Sequence, residues 1–354
     1  MRALGALGIE LPNLKKPTRI EYLRKYPEGT EFLKALHQYY VFSDLLSDCE
    51  GWIKYSCEDG HLYPNVNPFG QVTGRSAYSE PALQNTPKEP DEEGALSLRD
   101  CIRAPEGVTI VKADYAAQEL RILAHVTSDP SLIAACAEGD EDPHVKVAEK
   151  IAGHPLQKGT EEYKIYRKLA KRANYGFSYG AGAKRYAQSV FEDTSERITK
   201  DQAKREQTAL QATWERTHRW QQEFGGDGND EDDWYTVSFV GRRRYVSQNK
   251  DRASGAYVPN YCDRLNGPIQ TGGADTLYVA LEKLIEDKEA GLHPGTEILL
   301  TTHDEIVLEC PEDDEGVLGW LVEKMRKAAG CFLRPELASE DCVEGVEGSS
   351  WGGG

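Results

Sequence analysis

Two acidic clusters and one basic, aromatic segment are the parts of this sequence best suited to chemistry. Asp114 follows the apolar run TIVKA, and Asp304 sits between TEILLTT and IVLEC with His303 and Glu305 on either side. Strand ends of one sheet can bring such distant carboxylates together on a rigid frame. Hard oxygen ligands of this kind favour magnesium, and two ions about 3.5–4 Å apart can stabilise both the attacking and the leaving oxygen of a displacement. Taken singly, an aspartate at a strand end is more often a turn or cap residue.

The segment YRKLAKRANYGFSYG, residues 166–180, spaces Arg167, Lys171 and Tyr175 at i, i+4 and i+8. That spacing puts them on one helix face, with Ser178 and Tyr179 continuing the surface. Two cations followed by an aromatic suit a triphosphate followed by a sugar and base; a solvated basic face with a packed tyrosine is the plainer reading. TGR at 73–75 and SEPALQNTP at 79–87 add Arg75, Gln84 and Asn85. These can hydrogen-bond a nucleic acid minor groove or simply brace a loop.

The elements that must carry these residues follow from periodicity. Residues 109–113 read as a short buried strand ending at Asp114, followed by a helix with Leu120, Leu123, Ala124 and Thr127 on one face. Residues 297–310 read as strand–turn–strand, and 234–246 as a hairpin. Helices are expected at 30–47, with Phe32, Leu33, Leu36, Tyr40, Leu45 and Leu46 at near-helical spacing, at 275–289, at 316–329, and in broken form through 140–224. Residues 52–103 are irregular, 225–233 form an acidic loop, and the Ser/Gly-rich end after Glu344 is expected to be mobile.

With 354 residues, 39% of them hydrophobic, the chain can bury a sizeable core, and a mean hydropathy of -0.61 reads as a soluble protein. No apolar run is long enough to span a bilayer, and MRALGALGIELPNLKK is too polar after Ile9 for a secretory signal. The eight cysteines form no CxxC pair and no zinc spacing, which fits a reducing compartment; all are expected as small buried hydrophobes. The net charge of -17 opposes a uniformly phosphate-binding surface, but the charge is segregated. Lys164, Arg167, Lys168, Lys171 and Arg172 form one basic run and Arg242, Arg243 and Arg244 another, while acids collect at 227–233 and 312–315. A basic cleft on an acidic body is therefore expected.

In their order along the chain, these segments resemble the DNA polymerase I family, family A. DYAAQELR at 114–121 resembles its motif A, RKLAKRANYGFSYG at 167–180 its motif B on the O helix of the fingers, and HDE at 303–305 its motif C. TGR, LQN, GRRRY at 241–245, NGPIQTGGAD at 266–275 and EGSSW at 347–351 resemble further family segments. The resemblance implies an α+β fold of right-hand polymerase architecture, with an antiparallel palm sheet, helical fingers and a truncated helical thumb. Its segments would be a thumb remnant at 1–55, palm at 56–128, fingers at 129–263 and palm again at 264–354.

The implied activity is that of a DNA-directed DNA polymerase, adding deoxynucleotides to a primer 3′-hydroxyl by two-metal nucleotidyl transfer. Asp114 and Asp304 would hold two magnesium ions, with manganese able to substitute, and Glu305 would lie beside them as an auxiliary catalytic carboxylate. Arg167, Lys171 and His144 would contact the triphosphate, His144 with one residue inserted just before it, and Lys171 would also protonate the pyrophosphate. Tyr175 would pack on the sugar and base, Tyr179 would stack at the template position, and Glu119 would be the steric gate against a 2′-hydroxyl. Arg75, Gln84, Asn85, Asn266, Gln270 and His303 would bind primer and template. The implied partners are primer–template DNA, dNTPs and a separate chain supplying the missing thumb or an exonuclease, with no membrane and a cytoplasmic location (host cytoplasm for a virus).

Departures from the family pattern carry expectations of their own. Ala116, Ala117 and Gln118 replace the usual Ser, Gln and Ile, and Ala82 a common Asn, which implies modest fidelity. Tyr175, a Phe in many bacterial members, implies ready acceptance of dideoxynucleotides. Only about 70 residues precede TGR, so neither a full thumb nor a proofreading exonuclease is expected, and processivity should be low without a partner. A fragment, one half of a split gene product and a compact bacteriophage-type enzyme all fit that length. A single-subunit RNA polymerase is disfavoured by Glu119. A non-catalytic replisome-assembly subunit descended from a polymerase is disfavoured by the retained Asp114, Asp304 and Lys171.

Overall fold

Residues 108–115 alternate between the two sides of a sheet, and the fold is organised round the strand they form. The computed structural model describes residues 8–26, 29–87, 97–137, 142–195, 197–225, 230–251 and 254–353. The insertion ahead of His144, the start of the MRALGALG segment and residues 226–229 of the expected acidic loop lie outside the described residues.

In chain order the elements are α1 (Lys16–Lys25), α2 (Thr30–Tyr55), β1 (Asn65–Asn67), β2 (Ala77–Ser79), β3 (Val108–Tyr115), α3 (Gln118–Thr127), α4 (Pro130–Ala137), α5 (Pro143–Ala152), α6 (Glu161–Ser178), α7 (Ala183–Thr194) and α8 (Lys200–Thr213). There follow α9 (Glu215–Phe224), β4 (Tyr235–Val237), β5 (Arg243–Tyr245), β6 (Gln248–Lys250), β7 (Tyr257–Pro259), α10 (Tyr261–Glu289), β8 (Glu297–Thr302), β9 (Glu305–Pro311), α11 (Val317–Phe332) and β10 (Val343–Gly348). Among the described residues no helix is long and apolar enough to cross a membrane.

The chain divides into two compact units, Met1–Leu62 with His144–Thr213, and Tyr63–Pro143 with Trp214–Gly354. This groups 129–143 and 214–263 with the sheet-bearing residues, a coarser partition than the four segments expected from the sequence.

The first unit is helical. Ile9, Leu11 and Leu33 form a buried cluster with Leu14, Tyr22, Leu23, Tyr26 and Leu36 packed against it. Helix α2 runs past the expected residue 47 to Tyr55 and buries Leu33, His37 and Val41. Of the expected stripe Leu33 is buried and Leu36, Tyr40 and Leu45 are half-buried, while Phe32 and Leu46 are exposed. Buried Arg19 bridges α1 and α2, its Nε 3.4 Å from His37 Nδ1 and its guanidinium 4.5 Å from the Tyr40 ring centre. A second core joins α6, α7 and α8 through Ala170, Ala173, Phe177, Tyr186, Val190 and Ala203. There the Tyr186 hydroxyl donates to Glu206 Oε2 at 2.5 Å, and burial pushes the phenol pKa up.

The second unit holds a four-stranded antiparallel sheet in the order β10-β3-β9-β8. Val111, Ala113 and Tyr115 are buried on one face, where α11 packs on β3 and β10 and the Tyr115 hydroxyl donates to Met325 O at 2.8 Å. Lys112 and Asp114 alternate onto the other. The expected hairpin forms from β4 and β5, and the expected strand–turn–strand from β8 and β9.

Helix α10 begins at Tyr261, well before the expected residue 275, and continues through Pro268, which removes one backbone donor. Close packing explains the persistence. A Cβ on Gly272 would lie 2.7 Å from the Phe239 ring, and one on Gly273 2.7 Å from Gln118 Oε1. The segment after Glu344, expected to be mobile, supplies most of edge strand β10, and Trp351 beyond it is fully buried. Of the cysteines only Cys136, Cys310 and Cys342 are buried; Cys57, Cys101, Cys262 and Cys331 are exposed, against the expectation that all would pack inside.

Candidate functional site

Asp114 lies at the end of β3, one residue before its last, where the sequence placed it. It pairs with Glu305 on β9 and with Glu344 on β10. Directly opposed residues share a face, so Glu344, Asp114 and Glu305 form a row of carboxylates across three strands. Asp304 occupies the β8–β9 turn beside His303, whose φ of 57° is left-handed. The Tyr115 amide donates to Asp304 O at 3.3 Å. The residue after one aspartate is thereby bonded to the backbone of the other. A cavity of roughly 400 Å³ opens on this face, lined by Arg99, Lys112, Asp114, Glu305 and Glu344 among others.

Glu305 is buried, and its Oε1 accepts from Arg99 Nη1 at 3.1 Å and from Trp351 Nε1 at 2.8 Å. The Arg99 guanidinium spends Nε and Nη2 on Thr86 O and lies 4.1 Å from the Trp351 ring centre. Burial pushes its pKa below the ordinary value, and Glu305 opposes that shift.

Among the described residues, no group of three His, Cys, Asp or Glu is arranged to hold a metal ion. Magnesium commonly rests on one or two carboxylates, water and substrate phosphates, so the donor set of Asp114 and Asp304 fits that ion.

After Asp114 the chain turns through Ala117, at a φ of 49°, into α3. There Glu119 Oε1 meets Arg75 Nη2 at 3.4 Å, both side chains being partly buried. Gln118 is 3% exposed, with its Oε1 buried and without a hydrogen bond. Arg121 pins the turn. Its Nε donates to Ala116 O at 3.0 Å, Nη1 to Leu337 O at 3.1 Å and Nη2 to Asp341 Oδ2 at 2.9 Å.

The remaining expected contacts of this unit vary in availability. Gln84 accepts from Tyr78 N at 3.3 Å and donates to Ser76 O at 2.9 Å, so its amide braces its own loop. Asn85 and His303 are exposed. Asn266 and Gln270 stand half-buried at i and i+4 on α10. The basic run 242–244 is partly spent on structure: Arg242 Nε meets Asp275 Oδ1 at 3.1 Å, and half-buried Arg244 donates to Asp263 O at 3.4 Å.

In the helical unit, α6 starts at Thr160, whose hydroxyl accepts from Tyr163 N at 3.1 Å, with Glu161 and Glu162 in the first turn favouring the helix dipole. Ala170, Ala173, Asn174 and Phe177 form the buried face. Lys171 is exposed, and Arg167, Tyr175 and Tyr179 are half-buried. Ser178, expected on the surface with Tyr179, is buried instead. His144 at the start of α5 is 4% exposed, its Nδ1 2.8 Å from the Asn174 amide nitrogen and its ring 5.8 Å from that of Tyr175. An amide N–H can only donate, so Nδ1 accepts and Nε2 carries the ring proton.

Three residues around the sheet's carboxylate row escaped the sequence reading, Arg99, Lys112 and Glu344, and Trp351 was singled out only as part of EGSSW, with no role. The available signal was the Trp of EGSSW, a large aromatic in a tail otherwise poor in apolar residues.

A solved structure described as the POL domain of Pol1 from M. smegmatis in complex with DNA primer-template and dNTP matches with a TM-score of 0.79 and 27% identity, over 99% of this chain and 60% of that one. The architecture is therefore α+β and that of a polymerase domain. A sequence profile of DNA polymerase family A matches residues 8–351, and the chain belongs to that family. DNA polymerase I of Caldicellulosiruptor bescii is 27% identical over 97% of this chain and 39% of its own length. DNA polymerase I of Chloroflexus aurantiacus is 33% identical over 72% of this chain and 25% of its own length. The chain thus spans well under half of these relatives.

Proposed function

We propose that this chain is a DNA-directed DNA polymerase that adds deoxynucleotides to a primer 3′-hydroxyl on a DNA template. The observation that carries the reading is the β3–β9 register, which sets Asp114 beside the turn holding Asp304 in a member of family A. Asp114 and Asp304 would hold two magnesium ions, or manganese, which when bound neutralise charge developing on the phosphates and acidify the primer hydroxyl.

The rest is assigned to the chain's own side chains. Arg167, Lys171 and His144 bind the triphosphate, and Lys171 donates a proton to the departing pyrophosphate. Tyr175 takes the sugar and base, and Tyr179 the template position. Glu119, steadied by Arg75, blocks a 2′-hydroxyl. Asn85, Asn266, Gln270 and His303 are assigned to primer and template, with Gln84 shaping the loop that presents Asn85. The thumb, palm and fingers segments of the sequence reading are proposed with residues 129–143 and 214–263 grouped with the palm sheet. A separate chain supplying a thumb or an exonuclease is proposed as a further partner.

Primer extension on a defined template with magnesium tests it. The chain is expected to extend with dNTPs and to use NTPs at least about a hundredfold less well, a discrimination that steric exclusion and lost contacts readily supply. No extension, alone or with a thumb-supplying chain, would favour the assembly-subunit reading; equal use of NTPs would favour an RNA polymerase. A second expected result concerns Tyr175→Phe. If the phenol supplies the hydrogen bond otherwise made by a 3′-hydroxyl, its loss raises discrimination against dideoxynucleotides by about tenfold or more. Equal dideoxy/deoxy incorporation ratios in both enzymes would sink that assignment.

A further inference from the structure

We propose that Trp351 and Arg99 are positioning residues that occupy Oε1 of Glu305, so that Glu305 anchors the turn bearing Asp304 rather than serving as a third metal-holding carboxylate. The inference rests on the reading of Asp114 and Asp304 given above.

Every side of Trp351 is engaged. Its indole N–H donates to Glu305 Oε1, its amide donates to Ile102 O at 2.9 Å, and its carbonyl accepts from Lys112 Nζ at 2.6 Å. Its ring lies under the Arg99 guanidinium. The neighbouring residues bind the same segment, with the Ala104 amide donating to Ser349 O at 3.0 Å and Ser350 Oγ to Asp100 Oδ1 at 3.2 Å. Lys112 belongs to the strand of Asp114, and Glu305 follows Asp304 directly. The segment around Trp351 therefore holds both the strand of Asp114 and the start of β9 that follows Asp304.

A carboxylate oxygen that already accepts from a buried guanidinium and a buried indole is a poor candidate for an ion. Transfer of Oε1 to a metal would leave two buried donors without an acceptor, and such groups are costly to strand. Asp304, in an irregular turn, needs an external reference for its backbone. The anchored Glu305 supplies it, and the Tyr115–Asp304 hydrogen bond passes the registration across to β3.

The test uses the full chain with 15N-labelled indoles and the Trp351 cross-peak assigned by its absence from Trp351→Phe. The Trp351 indole proton is expected to stay as protected from exchange in saturating magnesium as without it. Loss of protection on adding magnesium would show Glu305 leaving for the ion and overturn the proposal. A second arm measures manganese affinity by electron paramagnetic resonance without DNA or nucleotide. Glu305→Gln should shift it by no more than about fivefold, the size of a through-space charge effect, whereas Asp114→Asn should weaken it by about twentyfold or more. Equal losses would overturn the proposal.

In steady-state extension, Trp351→Phe, which removes the N–H donor and the pyrrole half of the indole while leaving one aromatic ring, should lower kcat about tenfold with the dNTP KM within about twofold. An unchanged kcat would also count against it. Absence of extension by the wild type would defeat the polymerase reading while leaving the exchange result to stand or fall alone.

Discussion

Asparagine in place of Asp114 or Asp304 will lower the rate of templated extension by about a thousandfold or more without unfolding the chain. The substitution keeps the side-chain shape and removes the charge that a divalent ion needs. An ion on a transferring phosphoryl group supplies several kcal/mol of transition-state stabilisation, and about 4 kcal/mol corresponds to a factor of roughly a thousand. Stability should move the other way. Asp114 stands in a row with Glu305 and Glu344, and removing its charge relieves like-charge repulsion across the sheet. Single-turnover extension beside thermal melts is the check. Activity within tenfold of wild type in a melt-matched Asp114→Asn would show that the row does not hold the reaction's ion. The double variant should lose little more than either single one, because the two residues act as a unit.

Arg121→Met will destabilise the second unit by about 3 kcal/mol. The methionine replaces the buried aliphatic stem but none of the donors. Ala116 O and Leu337 O lose their partners in a buried setting, and Asp341 loses its ion pair. Asp341 is about a third exposed and can rehydrate, so the cost falls mainly on the two carbonyls and stays below that of a stranded buried charge. Urea unfolding should show a lower midpoint with little change of slope. A loss under 1 kcal/mol would mean that the 337–342 segment relaxes to solvent these groups. Extension should fall in step with the folded fraction, since Arg121 touches neither aspartate.

The parts of this site that sequence made legible are those governed by local pattern. Strand β3 and the β8–β9 hairpin declare themselves by short apolar runs, and the α6 face by a spacing of four. What stayed hidden depends on distant partners. Composition marked VEGVEGSSW as a loose tail, yet an edge strand needs only its backbone, and a single Trp fills the space beyond it. The helix was expected only from about residue 275; inside α10, which starts at Tyr261, the glycines of NGPIQTGG permit close approach to Phe239 and Gln118. Along α2 the expected stripe holds at Leu33, Leu36, Tyr40 and Leu45, but Phe32 and Leu46 are exposed because the helix carries large hydrophobics on more than one face and only the fold decides which are buried.

The sheet order has a consequence for biogenesis. Strand β3 is made well before both of its neighbours, β9 and β10. At ordinary elongation rates the ribosome needs on the order of ten to forty seconds to travel from Asp114 to Glu305. Throughout that interval β3 has two open edges and no carboxylate partner. The helices between can fold as they emerge, since their contacts are largely local, while the sheet must wait for long-range closure. A nascent chain of this protein is thus helical before its carboxylate row is assembled, and until then the open edges of β3 are exposed to stray strand pairing.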